Sequence, residues 1–279
     1  MNHFSRLSRD PGLRVAVFLW ILAVLVFVLI AIPLLKAEAL LQTPEEVSGY
    51  ALFACILFLG FFRVRKHLSM FSMIKTKYWF SAHTIGGILA LAFYILHVDA
   101  WWPQSGYVQW LTALMILVTI SGMLGYLIQK IFPTRLTQHE SEILYSQIPE
   151  AVNQLKTQAE DLILEVNKKT GHETLARHYL ETLQWFFQKP RFVLSHIYGG
   201  RRANQWLSQQ FVTVNRYLDK TEKEYSARLE QLSRKKLDVD FNYAIQRLLK
   251  SWLLIHVPLS AALIVMSLWH LLLVNIYIL

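Results

Sequence analysis

Four histidines stand in apolar stretches of this chain, where an ionisable side chain is costly, and they share one spacing. His83 follows Lys77-Tyr-Trp79 and precedes His97 by fourteen residues; His256 follows Lys250-Ser-Trp252 and precedes His270 by fourteen residues. Both stretches read K-x-W-x3-H-x13-H. Fourteen residues is four turns of a slightly underwound helix, so each pair falls on one face. At about 1.5 Å of rise per residue the two rings on a helix stand roughly 21 Å apart. Two such helices suit two stacked haems, each iron taking one axial imidazole from each helix. With both axial positions filled, the chemistry is outer-sphere electron transfer rather than binding of oxygen or substrate.

The elements that must position these histidines follow from composition. The chain has 279 residues, 54% of them hydrophobic and 17% charged, and the charges avoid several stretches long enough to span a bilayer. The predicted spans are residues 13–35, 47–62, 78–101, 107–128 and 252–278. Ala37-Glu38-Ala39 has the small-x-small form of a cleavage site, but the apolar run before it exceeds a usual signal core, so the expectation is a retained helix. The single cysteine, Cys55, excludes an intramolecular disulfide, a C-x-x-C-H covalent haem site and a four-cysteine cluster. The net charge of +9 does not point to nucleic acid, because the excess of basic over acidic residues lies mostly beside the spans.

Those residues also orient the chain. Arg6 and Arg9 precede span one and Arg14 stands at its start, Arg63, Arg65, Lys66, Lys75 and Lys77 connect spans two and three, Lys130 and Arg135 follow span four, and Arg247 and Lys250 precede span five. The opposite loops hold Lys36 among Glu38, Glu45, Glu46 and Asp99. The positive-inside rule puts the N-terminus and the long middle segment in the cytoplasm and the C-terminus outside. Spans three and five then run parallel, which pairs His83 with His256 toward the cytoplasm and His97 with His270 toward the exterior.

Between residues 133 and 247 the chain is polar and helical in pattern. Thr137-x-x-Glu140 has the form of a capping box. Val152, Leu155, Ala159, Leu162, Ile163 and Val166 keep a helical stripe from Pro149 to near Gly171, a second helix covers about 173–188 before Pro190, and one amphipathic stretch runs from Leu207 through Leu232. The segment holds no phosphate-binding glycine loop, and His172-Glu173 with His178 lacks the H-E-x-x-H register. The expected organisation is therefore spans one to four over 1–132, a cytoplasmic helical insertion over 133–247, and the fifth span over 248–279.

Smaller features read both ways. Gly86, Gly87 and Ala90 lie on the His83–His97 face, and Gly122 and Gly125 on span four; they leave room for a macrocycle or permit close helix packing. Lys77 and Lys250 read as interfacial cations before propionate partners. Trp79, Trp252, Trp101 and Trp102 read as aromatic-belt anchors. Lys189, Arg191, Arg201 and Arg202, with Phe192 and Tyr198, read as a solvated or membrane-facing surface before a site for an acidic partner.

The two H-x13-H helices resemble the dihaem b-type cytochromes: the membrane subunits of hydrogenases and formate dehydrogenases, the respiratory cytochrome b core and the ferric-reductase-like transmembrane bundle. The resemblance covers spans three to five. It implies an all-α integral membrane protein of five spans, with a four-helix dihaem bundle and two non-covalent b haems on His83/His256 and His97/His270. From their places on the helix faces, Gly87 and Gly122 are expected beside the cofactors. The implied role is an electron-transfer subunit rather than a catalytic chain on its own. Its partners would be a cytoplasmic flavin or iron–sulfur protein, and quinone or an exterior c-type cytochrome. The flavin and nicotinamide domain of the reductases is absent, and the insertion is not part of the usual pattern. A proton or metal-ion transporter built on intramembrane histidines is the rival; it predicts further acidic residues within the spans, and the nearest, Asp99, stands at the outer edge of span three.

Overall fold

The computed structural model describes residues 11–37, 44–64, 76–98, 102–136 and 143–278. Arg6, Arg9, Glu38, Arg65, Lys66, Lys75, Asp99, Trp101 and the Thr137-x-x-Glu140 pattern lie outside these residues. Every described element is a helix or helical turn. The chain divides into two compact units, Met1–Leu127 with Trp252–Leu279, and Ile128–Ser251.

The first unit is built from α1 (Pro11–Ala37), α2 (Pro44–Val64), α3 (Thr76–His97), most of α4 (Gly106–Leu136) and the end of α10 (Lys220–Ile278). Among the described residues four helices are long and apolar enough to cross a membrane, through Leu13–Ile32, Lys77–His97, Gly106–Ile131 and Lys220–Ile276. The apolar stretch of α2, Glu46–Phe62, is shorter; at about 1.5 Å per residue it covers roughly 25 Å. Large apolar side chains face outward all round: Phe18, Ile21 and Leu29 on α1, Ile95 on α3, Trp110 on α4, and Leu254 and Val265 on α10. A helix apolar on every side is a membrane element or a deep core element, and these sides face no protein. The buried centre is Ala90 and Phe93 of α3 against Leu52 and Ile56 of α2, Met115 of α4 and Leu263 of α10, with Phe27 of α1 5.6 Å from the Phe93 ring.

Two ends differ from the sequence reading. Pro133 does not open the polar segment, because α4 continues to Leu136. Proline lacks the N–H that a helix uses four residues back, and the helix stops within a turn. Span five does not begin a new helix at Trp252; it continues α10 from Lys220, with Pro258 inside it.

The second unit comprises α5 (Ile148–Thr170), α6 (Thr174–His178), α7 (Gln184–Gln188), α8 (Val193–Ile197), α9 (Arg201–Val214) and the first part of α10. The stripe on α5 is buried as expected at Val152, Ala159, Ile163 and Val166, and Gly171 ends the helix at φ 70°, a left-handed conformation that glycine adopts freely. The expected helix over 173–188 holds, but a π-turn at Tyr179–Leu183 joins α6 to α7. The amphipathic stretch expected to run unbroken through Leu232 is split: Asp219 accepts from the Glu222 N–H at 2.6 Å, and Glu222 accepts from the Asp219 N–H at 3.2 Å, which starts α10. The core gathers Leu175, Leu183, Phe186, Phe187, Leu207 and Leu229.

Within this core Lys236 and Asp240 are fully buried and bonded at 2.7 Å. The Lys236 amine also donates to the Lys189 carbonyl at 2.8 Å and lies 4.5 Å from the Phe186 ring centre. Burial pushes the Asp240 carboxyl up to about 6, against the pull of Lys236, and pulls the Lys236 amine down to about 8. Arg191, from the basic run, stacks on Trp185 at 4.8 Å and donates to its carbonyl.

Candidate functional site

The four spaced histidines lie in the first unit, and their neighbours fix the direction of each helix. On α2 and α3, Ser48 meets His97 while Phe62 meets His83, so these helices are antiparallel. On α4 and α10, Tyr107 meets His270 while Ser121 meets His256, again antiparallel. His97 faces His270 with ring centroids 6.4 Å apart and planes at 76°. His83 is close enough to His256 for the two rings to interact electrostatically. Helices α3 and α10 therefore run parallel, with one imidazole couple toward each end.

The close helix pairings of this unit are among α1, α2 and α3; α10 reaches His97 and the α4 residues through side chains. Two imidazoles that hold one ion between them at about 2.0–2.1 Å place their ring centroids roughly 6 Å apart. The His97–His270 separation fits that arrangement. Among the described residues no group of three or more His, Cys, Asp or Glu side chains comes together.

Around the couples the neighbours are aromatic or hydroxylic. His256 has Trp252 stacked on it at 5.1 Å and 20°, and its Nδ1 lies 3.2 Å from Ser121 Oγ. His97 Nδ1 lies 3.3 Å from Ser48 Oγ. Tyr107 stacks on His270 at 6.2 Å, and its hydroxyl donates to the Met266 carbonyl one turn before that histidine. His83 lies 4.7 Å from the Phe62 ring, and Phe58, Phe62 and Trp79 form a shallow cleft beside it. Its Nδ1 is buried without a hydrogen-bond partner among the described residues.

The glycines divide. A Cβ on Gly87 would meet nothing within 4 Å, which leaves that face of α3 open. Gly86 is covered by Phe58 and Leu59, and Ala90 is buried in the helix core, so neither leaves room for a macrocycle. Gly122 lies against the His256 ring, 3.7 Å from a built Cβ to Cε1. Gly125 is filled by the Trp252 indole, which a Cβ would overlap. Of the paired lysines, Lys77 lies over the Tyr78 ring, and Lys250 lies in the second unit, 3.5 Å from the Tyr145 ring centre.

No protein-family model, curated protein or solved structure matches the chain.

Sequence reading found the four histidines and missed Ser48, Gly49, Ser121 and Tyr107. It also took Trp252 for a belt anchor. The available signal was a hydroxyl beside a glycine inside an apolar run, at Ser48-Gly49 and again at Ser121-Gly122.

Proposed function

We propose that this chain is the electron-conducting membrane subunit of a respiratory-type redox assembly. It holds one b haem between His83 and His256 and another between His97 and His270. The observation that carries the reading is the facing of His97 and His270 at 6.4 Å on helices of parallel sense, with His83 and His256 in the same register four turns away. A haem at each couple supplies one-electron carriage with no open coordination position. The chain's own part is to aim the imidazoles, to keep Gly87 clear for the macrocycle and to surround both couples with apolar side chains.

The positive-inside pattern supports five spans with the inserted segment cytoplasmic. That segment is then the docking platform for a soluble flavin or iron–sulfur protein, and quinone or a c-type cytochrome is served at the exterior couple. Electron movement between the couples crosses the membrane potential, at about 2.3 kcal/mol per charge per 100 mV.

The test is a reduced-minus-oxidised spectrum of the purified chain after haem-sufficient expression, with haem measured per protein. Two b-type haems per chain are expected. A chain without a b-type signal, or with haem content indifferent to replacement of all four histidines, rejects the reading.

A further inference from the structure

Two dipeptides on the helices without the spaced histidines stand in the same relation to an imidazole. On α2, Ser48 is buried and its Oγ lies 3.3 Å from His97 Nδ1, while a Cβ on the next residue, Gly49, would stand 2.9 Å from His97 Cε1. On α4, Ser121 Oγ lies 3.2 Å from His256 Nδ1, and a Cβ on the next residue, Gly122, would stand 3.7 Å from His256 Cε1. In both places the hydroxyl before the glycine meets the ring nitrogen; at Gly49 the missing Cβ lets the ring lie against the backbone, while at Gly122 a Cβ would make only ordinary contact with the ring. The two contacts are diagonal: one histidine from α3 and one from α10, one in each couple.

We propose that Ser48-Gly49 and Ser121-Gly122 are imidazole seats that hold His97 and His256 in the tautomer able to ligate. A neutral imidazole has one N–H and one lone pair, and the bond made by one nitrogen decides which state the other is in. With Nδ1–H donating to serine Oγ, the Nε2 lone pair is free and the ring cannot turn away. Such outer partners fix the tautomer and raise ligand basicity. The proposal rests on the haem reading for what is ligated, but the tautomer is a property of the chain alone. Of the other members, His83 packs on the Phe62 ring and meets the Leu59 backbone, and His270 stacks on Tyr107. Each couple thus has one serine-bonded imidazole, and the serine comes from a different helix in each.

The experiment has a haem-free and a haem-loaded arm, both on the full chain. In the haem-free chain, 15N NMR of labelled histidines is expected to find His97 and His256 protonated on Nδ1. Ser48→Ala should release His97 alone and Ser121→Ala should release His256 alone. In the loaded chain, Ser48→Ala should raise the reduction potential of only the component that His97→Ala removes, and weaken its retention about 10-fold. Ser121→Ala should do the same to the component that His256→Ala removes, and Ser121→Thr should preserve it. Gly49→Ala keeps the hydroxyl but displaces the ring, and should alter the low-spin EPR signal of the His97 component alone. Nε2-protonated His97 and His256 in the haem-free chain would overturn the seats. So would alanine variants that leave both components unchanged or move both together. A wild-type chain that takes up no haem rejects the haem reading, and the NMR arm then decides the seats.

Discussion

Trp252 lies one turn before His256 and stacks on it, centroids 5.1 Å apart at 20°, while its indole N–H donates to the Ser121 carbonyl at 2.8 Å. The glycine at position 125 is filled by that indole. The tryptophan of the K-x-W-x3-H template therefore sets the depth and angle of a histidine on its own helix by docking on another. Trp252→Phe keeps a ring and loses the N–H bond, and is expected to cost about 1 kcal/mol. Trp252→Ala empties the space over Gly125 and is expected to cost about 3 kcal/mol, the low end for a truncated aromatic, since Trp252 is only half-buried. Unfolding of the purified chain in detergent, followed by circular dichroism, checks both; equal losses would contradict the docking role.

His97 and His270 are expected to act as one unit. Either single alanine variant should halve the haem content, and the double variant should lose no more than either single. His83→Ala combined with His97→Ala should abolish binding altogether. Pyridine haemochrome assay of the four proteins decides the pairing; a His97→Ala/His270→Ala chain without haem would show that the couples are assigned wrongly.

Gly87 and Gly125 should answer substitution oppositely. In the haem-free chain Gly87→Ala adds a Cβ to open space and should stabilise α3 by about 0.5–1 kcal/mol. Gly87→Leu should lower haem content without destabilising the haem-free bundle. Gly125→Ala collides with Trp252 and should destabilise both forms. Thermal unfolding and haem content, measured on the same preparations, separate these effects.

The buried Lys236–Asp240 pair sets a pH signature on the second unit. The folded state raises Asp240 from the ordinary carboxyl range to about 6, so that group's contribution to stability is lost as pH rises through that interval. It lowers Lys236 to about 8, so that group's contribution is lost as pH falls from the usual amine range through 8. Both losses are complete between pH 6 and 8. Lys236→Met alone strands a buried carboxylate and is expected to cost about 3–5 kcal/mol near neutrality, while Lys236→Met/Asp240→Leu should recover most of it. Lys236 is absent from both variants, so only Asp240 titrates between them. The advantage of the double variant over the single should grow as pH rises above the ordinary carboxyl range and then level off, and denaturant titrations across pH 5–9 would reveal a flat difference if that carboxyl were not desolvated.

The histidine register was legible because a helix converts spacing into a shared face without help from the rest of the fold. The stripe on α5 and its stop at Gly171 were legible for the same reason. The seats were not, because Ser48 and His97 are joined by tertiary packing, and a serine in an apolar helix reads equally well as a back-bonded hydroxyl. Pro133 forfeits one hydrogen bond near the end of α4 without ending the helix there, which runs on to Leu136. The break before Lys220 was hidden because Leu218 and Tyr225 keep the apolar stripe while Asp219 and Glu222 cap the helix between them.

Each half of the first unit is a seat helix followed by a ligand helix, α2 then α3, and α4 then α10. In the second half the whole of Ile128–Ser251 is interposed between them. During synthesis the first half is made at once, while His256 and His270 emerge only after the inserted unit has been translated. Until then each couple consists of a single imidazole, too few to grip an ion from both sides. On the proposed haem reading, cofactor capture is thereby deferred to the last stage of assembly, and a ribosome that stalls within the insertion releases a chain that could not load either haem.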